Sequence, residues 1–187
     1  MVHTPDKNLT KEIIEYAQSI AVAGVLAAII MIFIAQSFVV RGESMESTLH
    51  DGERLLIEKV SYRFREPSRG DIIVLKTKTK ERFIKRIIGL PGDKVEVKAD
   101  GYTYVNSRKL TNTFTLEGTR GISGPYKVPQ KHVFVMGDNR NHSDDSRMSV
   151  GYLPDGWIVG RACVRFWPLP EIGLVRRPDM WAGSDEQ

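Results

Sequence analysis

The chain has 187 residues and a mass of 21.1 kDa, which fits one compact domain and excludes a two-domain enzyme of usual size. It carries 27 Lys and Arg against 23 Asp and Glu, a formal net charge of +4. The single cysteine, Cys163, excludes an internal disulfide framework, a four-cysteine zinc site and a CxxC redox motif. We expect it to pack within a strand and assign it no chemistry.

An apolar run lies near the N-terminus. Ile20 to Ala35 holds sixteen residues without a polar side chain, and apolar residues resume after two polar ones. As a helix, residues 20–40 extend about 31 Å, enough to cross a hydrocarbon core of ~30 Å. A cleavable signal peptide is the alternative, but its apolar region is only ~7–15 residues long and follows a basic leader. We therefore predict a short segment over residues 1–19, a retained transmembrane helix over 20–40 and a separate domain over 41–187.

The charge pattern indicates which partners the domain could bind, but it does not show on which side of a membrane the domain lies. Basic residues flank the apolar run on both sides, so the positive-inside count does not decide which side carries the domain. Residues 41–187 hold 25 basic and 20 acidic side chains, a net charge of +5 that would attract anionic lipid headgroups. Nucleic-acid binding is the alternative, but the sequence has no helix-turn-helix, zinc-finger or aromatic RNA-binding motif. We expect contact with phospholipid and not with nucleic acid.

The rest of the chain has the pattern of a β domain. Short apolar and β-branched runs recur, separated by Gly, Pro and Asp, at residues 55–57, 72–75, 83–88, 95–97, 102–105, 133–136 and 157–166. Such spacing without intervening helices predicts a mainly β, antiparallel fold. Asp100-Gly101 predicts a hairpin turn. Residues 106–130 are rich in Gly, Ser and Thr, and we expect a loop there.

Two residues offer nucleophile chemistry. Ser44 follows residue 40 by four residues, at most ~14 Å along an extended chain, so it would act close to a membrane surface. A turn or helix-cap serine is the common alternative. Strand alternation puts Lys85 on the same face as Phe83 and Ile87. If that face is buried, desolvation favours the neutral amine, which can deprotonate a serine. A lysine that reaches solvent from a strand edge is the alternative.

A polar segment follows the apolar run at 133–136. Residues 137–147 are dense in Asp, Asn, Arg, Ser and His. His142 with Asp144 and Asp145 suggests a metal site or a Ser-His-Asp triad, but no other histidine has metal-ligand spacing with it. We therefore predict neither a metal nor a cofactor. A solvated loop with local Asp–Arg pairs is the alternative for this segment.

Four segments, in this order after an apolar anchor, resemble the bacterial type I signal peptidases in their short Gram-positive form. The matching segments are residues 42–49 (GESMESTL), 69–74 (RGDIIV), 83–93 (FIKRIIGLPGD) and 137–147 (GDNR through to SR). The resemblance implies an antiparallel β-sheet catalytic domain of the signal-peptidase type behind one transmembrane helix. It also implies a single-pass protein of the cell membrane, with a cytoplasmic N-terminus and an extracytoplasmic catalytic domain.

The resemblance also implies residue roles. Ser44 would be the acylating nucleophile, with its backbone N–H in the oxyanion hole, and Lys85 the general base. Ser143 would hydrogen-bond the lysine amine. The residues that would brace the surrounding loop are Asp145, Arg147, Asp138 and Arg140. Two positions depart from the family: Gly42 lacks the serine hydroxyl of some relatives, and Ser47 replaces the usual proline, which we interpret as a structural change.

The implied reaction is cleavage of secretory preproteins after a small-x-small sequence, typically Ala-x-Ala, by an enzyme that we expect to be a monomer. Three alternatives remain. One is a catalytically inactive, membrane-tethered binding module of the same fold. The second is a self-cleaving repressor with the same serine–lysine chemistry, and the third is a thiol or metal enzyme.

Overall fold

The computed structural model describes residues 7–33 and 35–182. Two helices are present in this part, α1 (Lys7–Phe33) and α2 (Ser61–Phe64), with short 3₁₀ turns at Asp155–Trp157 and Leu169–Glu171. The strands are β1 (Ala35–Val39), β2 (Arg54–Glu58), β3 (Ile72–Lys76), β4 (Arg82–Gly89), β5 (Lys94–Val97), β6 (Thr103–Val105), β7 (Arg108–Lys109), β8 (Ser123–Lys127), β9 (His132–Met136), β10 (Leu153–Pro154), β11 (Ile158–Trp167) and β12 (Gly173–Leu174).

The strands form two antiparallel sheets. The larger sheet has the order β1-β2-β11-β3-β4-β9-β10, with β12 paired to β11. The smaller sheet has the order β7-β6-β5-β8. Every strand pairing in the described part of the chain is antiparallel, so the predicted mainly β, antiparallel fold is confirmed.

The strands of the two sheets enclose clusters of buried apolar side chains. One core cluster packs the buried side chains of Met45 and Leu49 against Ile84 of β4. A second cluster lies on the other face of β4, where Ile87 meets Ile73 and residues of β9. Because successive strand residues point to opposite faces, β4 contributes to both clusters. The segment after β1 is thus anchored directly against the strand that carries Lys85.

The predicted helix over residues 20–40 is wrong at its C-terminal end. Helix α1 ends at Phe33, and β1 pairs with β2 in register Ala35 to Glu58, so the β domain begins before residue 41. Phe38 and Val40 pack into the core instead of continuing an apolar helix. A short apolar run such as 38–40 is compatible with a helix or a strand, and here the neighbouring edge of β2 decides.

A second observation concerns the predicted transmembrane helix. Among the described residues, no helix combines the length and the apolar character that crossing a membrane requires. Residue 34 of the predicted span lies outside the described residues, as do the side chains of residues 29–33. The first six residues of the predicted segment 1–19 also lie outside them.

The remaining sequence predictions are confirmed for the strands and are wrong in part for the loop over 106–130. Each of the seven predicted strand runs coincides with a strand, and Asp100-Gly101 turns β5 into β6 as expected. The predicted loop over 106–130 is wrong in part, because it contains β7 and β8. Strand β8 has three exposed residues in its pattern and includes Gly124 and Pro125, so its sequence carries no strand signal. Pairing with β5 forms it instead.

Candidate active site

Ser44 lies in the turn segment between β1 and β2. Met45 and Leu49, which are 0% and 1% exposed, anchor the segment in the apolar core. Its backbone closes on itself, since the Leu49 N–H donates to the Met45 carbonyl at 2.9 Å. Gly42 adopts a positive φ of 79°, which an L side chain rarely adopts, so glycine suits the entry to this turn. The half-buried Ser44 side chain is therefore presented by a tightly anchored turn.

Lys85 points its amine at this serine. Its Nζ lies 2.7 Å from Ser44 Oγ, and the side chain is only 4% exposed. Lys85, on β4, lies opposite Ile73 of the neighbouring strand β3, in the middle of the larger sheet. Its amine also lies 5.4 Å from the centre of the Phe83 ring, which agrees with the expected shared face. The sequence alternatives of a solvent-reaching lysine and a capping serine do not describe this geometry.

Burial changes the chemistry of the amine. Desolvation lowers the pKa of Lys85 from 10.5 to about 8, although the negative charges of Asp145, Asp144 and Asp138 act in the opposite direction. A substantial fraction of neutral amine is then present in mildly alkaline solution. Such an amine can accept a proton from a hydroxyl in contact with it.

The segment 137–147 packs against the Ser44 turn. The Asn139 N–H donates to the Ser44 carbonyl at 3.1 Å. Gly137 lies so close to both neighbours that a Cβ there would collide with the Ser44 carbonyl oxygen and the Ser143 side chain. The sequence analysis did not single out Asn139 or Gly137. A glycine at the end of a buried strand was the available signal for close backbone approach.

Asp145 is the centre of that segment. Its fully buried carboxylate forms an ion pair with Arg147 at 2.8 Å, as expected, and accepts the Gly137 N–H at 3.0 Å. The expected hydrogen bond from Ser143 to the Lys85 amine is absent among the described residues. Ser143 instead donates to Asp145 Oδ2 at 2.9 Å, because an ionised carboxylate is a stronger acceptor than an amine is.

Asp138 connects the segment to β4. Its carboxylate receives two hydrogen bonds from Arg86, at 2.8 and 2.6 Å, and one from Thr48 at 2.6 Å. Both members of the Arg86–Asp138 pair are at most 1% exposed. Sequence reasoning missed Arg86. The signal was its position in an apolar strand on the face opposite Lys85, where a buried guanidinium requires an acceptor.

The remaining named residues lie around this site. Arg140 is buried and donates to the Thr103 hydroxyl at 2.7 Å. Exposed Ser47 donates to the Phe114 carbonyl at 3.3 Å. The exposed His142 ring is not part of a metal-ligand group with Asp144 and Asp145 in the described residues. Cys163 is half-buried and donates to the Leu56 carbonyl, and burial raises its pKa.

One group elsewhere has the donor types of a metal site. Ligand atoms of His50, Glu53 and Glu171 lie within 4.8 Å of one another. Arg165, however, forms ion pairs with both carboxylates, at 2.8 and 3.1 Å. Its guanidinium already supplies the positive charge that the pair of carboxylates requires.

Ser44 and Lys85 both line a cleft of about 540 Å³. One wall comes from β1 and the residues after it, and the other from the first half of β4. The lining residues are Ser37, Phe38, Val39, Arg41, Ser44, Arg82, Phe83, Ile84, Lys85 and Asp144. The contacting serine and lysine are thus accessible to a ligand that lies along two strands.

Comparisons with known proteins agree in one family. The chain is 44% identical over 169 residues to the probable signal peptidase I-2 of Synechocystis sp., an alignment that covers 87% of this chain and 77% of that protein. It is 37% identical over 183 residues to the signal peptidase I of Bacillus licheniformis, covering 92% and 98%. A crystal structure of a signal peptidase I from Enterococcus faecalis is 31% identical with a TM-score of 0.44, covering 52% of this chain and 97% of that one.

The family match covers most of the chain. The family described as signal peptidase, peptidase S26, matches residues 13–167, which include the Ser44 turn, β4 and the segment 137–147. The chain therefore belongs to the signal peptidase family, peptidase S26.

Proposed function

We propose that this chain is a serine endopeptidase that removes N-terminal signal peptides from secretory preproteins, with Ser44 as nucleophile and Lys85 as general base. The observation that carries the proposal is the 2.7 Å contact between Lys85 Nζ and Ser44 Oγ at an amine that is 4% exposed. A nucleophile in hydrogen-bond contact with a base of lowered pKa is the arrangement that covalent catalysis requires.

The proposed reaction has two stages. Neutral Lys85 accepts the Ser44 proton while Oγ attacks the scissile carbonyl, and the protonated amine then delivers that proton to the leaving amine. Water next attacks the acyl-enzyme carbonyl while Lys85 accepts a water proton; the bond to Oγ then breaks, and Lys85 returns that proton to Ser44 Oγ as the carboxylic acid product leaves. Each stage needs only a base that is neutral in part near the working pH, which fits a pKa of about 8.

The tetrahedral oxyanion requires donors that are already in place. We assign this role to the Ser44 backbone N–H, which donates to no protein acceptor among the described residues. Gly42 has no hydroxyl to add. The Asn139 N–H supports the assignment indirectly, because its hydrogen bond to the Ser44 carbonyl fixes the orientation of the neighbouring peptide.

The residues around Asp145 act in this proposal by positioning. Asp145 and Arg147 brace the segment 137–147 internally, and Asp138 holds it against β4 and, through Thr48, against the Ser44 turn. Ser143 acts through Asp145. The close approach of Gly137 to Ser44 supports this assignment, since small shifts of the segment would move the nucleophile.

The proposed substrate is an extended peptide with small side chains at the cleavage site, as the resemblance to type I signal peptidases implies. The cleft lies between two extended segments, β1 and the first half of β4, along which an extended chain could lie. Phe38, Phe83 and Ile84 give it apolar walls that favour Ala over charged side chains.

We also propose that the apolar run from Ile20 attaches the chain to the cell membrane, with the β domain outside the cytoplasm. Large apolar side chains at the start of this run are more than half exposed, at 73% for Ile20, 59% for Val22, 60% for Val25 and 55% for Leu26. Lipid contact would cover them. Labelling Thr113→Cys in a Cys163→Ala chain with an impermeant maleimide on intact cells tests the orientation; protection until lysis contradicts it.

The central test is processing of a preprotein with an Ala-x-Ala site by the purified full chain in detergent. Ser44→Ala and Lys85→Ala should each abolish cleavage, whereas the control Ser47→Ala should retain it, because the exposed Ser47 hydroxyl donates to the Phe114 carbonyl and not to either residue of the pair. Substantial cleavage by either of the first two variants contradicts the proposed pair. No cleavage by the unaltered chain favours the inactive binding module.

A further inference from the structure

Two exposed arginines line the serine–lysine cleft without an acidic partner. Arg41 lies two residues after β1, and Arg82 is the first residue of β4. Among the described residues, no carboxylate forms an ion pair with either side chain. A guanidinium stays charged at any working pH. The cleft therefore presents two permanent positive charges that the described chain does not neutralise.

The other charges of the cleft do not cancel them. Asp144 is the one acidic side chain among the described residues that line the cleft. Its two carboxylate oxygens accept the backbone N–H and the hydroxyl of Ser149, which keeps it on its own loop. Lys85 is the third cation of the lining and is charged in part near its pKa of about 8. The potential in the cleft is therefore positive, so it attracts an acidic side chain and repels a basic one.

Strand alternation indicates which substrate side chain meets this charge. Phe38 and Val40 pack into the apolar core, together with Ile84 from the opposite wall. Val39 and Arg41 alternate with them along the chain and are exposed. A substrate that lies extended between the two walls also directs successive side chains to opposite sides. The two small side chains of a small-x-small sequence suit the apolar side, so the side chain of x lies on the side of Arg41.

We propose that Arg41 gives the cleft a preference for Asp or Glu at x, the residue between the two small ones, and that Arg82 adds to the same positive potential. This inference rests on the proposed function, because the cleavage site defines x. The resulting ion pair lies in solvent and is weak, so the preference for Glu over the isosteric Gln is roughly threefold. Repulsion of a basic side chain widens the preference for Glu over Lys to roughly tenfold.

The first measurement is kcat/KM of the purified full chain in detergent, with preproteins that differ only in Glu, Gln or Lys at x. Both ratios should fall as NaCl is added, because salt screens exposed charges. Arg41→Gln should remove most of the difference between Glu and Gln, and Arg41→Glu should make Lys the preferred residue. The control Lys127→Gln, at an exposed cation outside the cleft, should keep both ratios. Each ratio compares two substrates in one variant, so a general loss of activity cancels.

The second measurement separates this inference from the proposed function. Fluorescence anisotropy gives the affinity of the Ser44→Ala chain, which cannot form an acyl-enzyme, for labelled peptides with Glu or Gln at x. Tighter binding of the Glu peptide supports charge selection even if the unaltered chain cleaves nothing, an outcome that contradicts only the proposed function. Equal binding of the two peptides overturns the inference, as does an Arg41→Glu protein with unchanged ratios. A preference that appears only when the acidic residue follows the cut also overturns it.

Discussion

The Arg86 guanidinium donates to both carboxylate oxygens of Asp138, at 2.8 and 2.6 Å, from the strand position next to Lys85. Asp138 in turn accepts the Thr48 hydroxyl at 2.6 Å. One buried ion pair therefore connects the strand of the proposed base, the turn of the proposed nucleophile and the segment 137–147. Both residues of the serine–lysine contact are thus attached to elements that this ion pair joins.

Asp138→Asn should be strongly destabilising. It leaves Arg86 as a buried charge without a full partner, and loss of one partner of such a pair costs about 3–5 kcal/mol of unfolding free energy. Urea unfolding of the full chain in detergent measures this. The double variant Arg86→Met, Asp138→Leu should recover much of the loss. Arg120→Ala, at an exposed pair, is the control for which we expect little change. A stable Asp138→Asn protein contradicts the prediction.

The rate of processing should rise with pH through a midpoint near pH 8 and level off at higher pH, as the Lys85 amine loses its proton. Asp144→Asn should move the rising limb to lower pH, because the negative charge of Asp144 raises the pKa of this lysine. Asp144 is exposed and the substitution should leave the fold intact. Initial rates between pH 5 and pH 10 provide the test, with Glu96→Gln as the distant control. A limb that does not move, or moves upward, contradicts the assignment of Lys85 as base.

Lys85→Met should increase stability at neutral pH while abolishing cleavage. The pKa of Lys85 is lower in the folded state, so the unfolded state binds the extra proton between pH 8 and 10.5. The stability linked to Lys85 is therefore greatest above pH 10.5 and falls as the pH decreases to about 8. The difference is about 3 kcal/mol at 1.36 kcal/mol per pKa unit, an order-of-magnitude value. Urea unfolding should show that the unfolding free energy of Lys85→Met exceeds that of the unaltered chain by less at pH 10 than at pH 7. An equal difference at both pH values contradicts the prediction.

Gly137→Ala should lower kcat by about 10² with a smaller effect on KM. The added methyl group collides with the Ser44 carbonyl oxygen and with Ser143, so the nucleophile is displaced, and misplacement of about 1 Å has effects of this size. Gly156→Ala is the matched control, because nothing lies within 4 Å of its Cβ position. Unchanged kcat in a folded Gly137→Ala protein would show that the segment can shift without moving Ser44.

The sequence predicts the strands of this protein better than its boundaries. Runs such as 72–75 and 133–136 are apolar on both faces because both faces of these strands are buried, and they are clear in the sequence. Strand β1 and strand β8 are not clear. The first follows an apolar helix with only Gln36 and Ser37 as an interruption, and the second is mostly exposed and exists through its pairing with β5.

For the candidate site, local alternation places Lys85 on the face of Phe83, and the family motifs select Ser44. The partners of the acidic residues depend on tertiary packing. Ser143 was expected at Lys85 but donates to Asp145, and Asp138 pairs with Arg86, 52 residues earlier. Sequence spacing carries no information on a pair so far apart, and only the residue types limit the choice.

The order of the larger sheet affects when the protein could become active during synthesis. β2 follows the Ser44 turn and β4 carries Lys85, yet the hydrogen-bonded path between these strands runs through β11, which is made last of the four. A nascent chain that ends before residue 158 already contains the serine and the lysine but not the strand that joins their halves of the sheet. The two halves of the larger sheet, and with them the proposed nucleophile and base, would therefore join through hydrogen-bonded strands only after β11 has been synthesised.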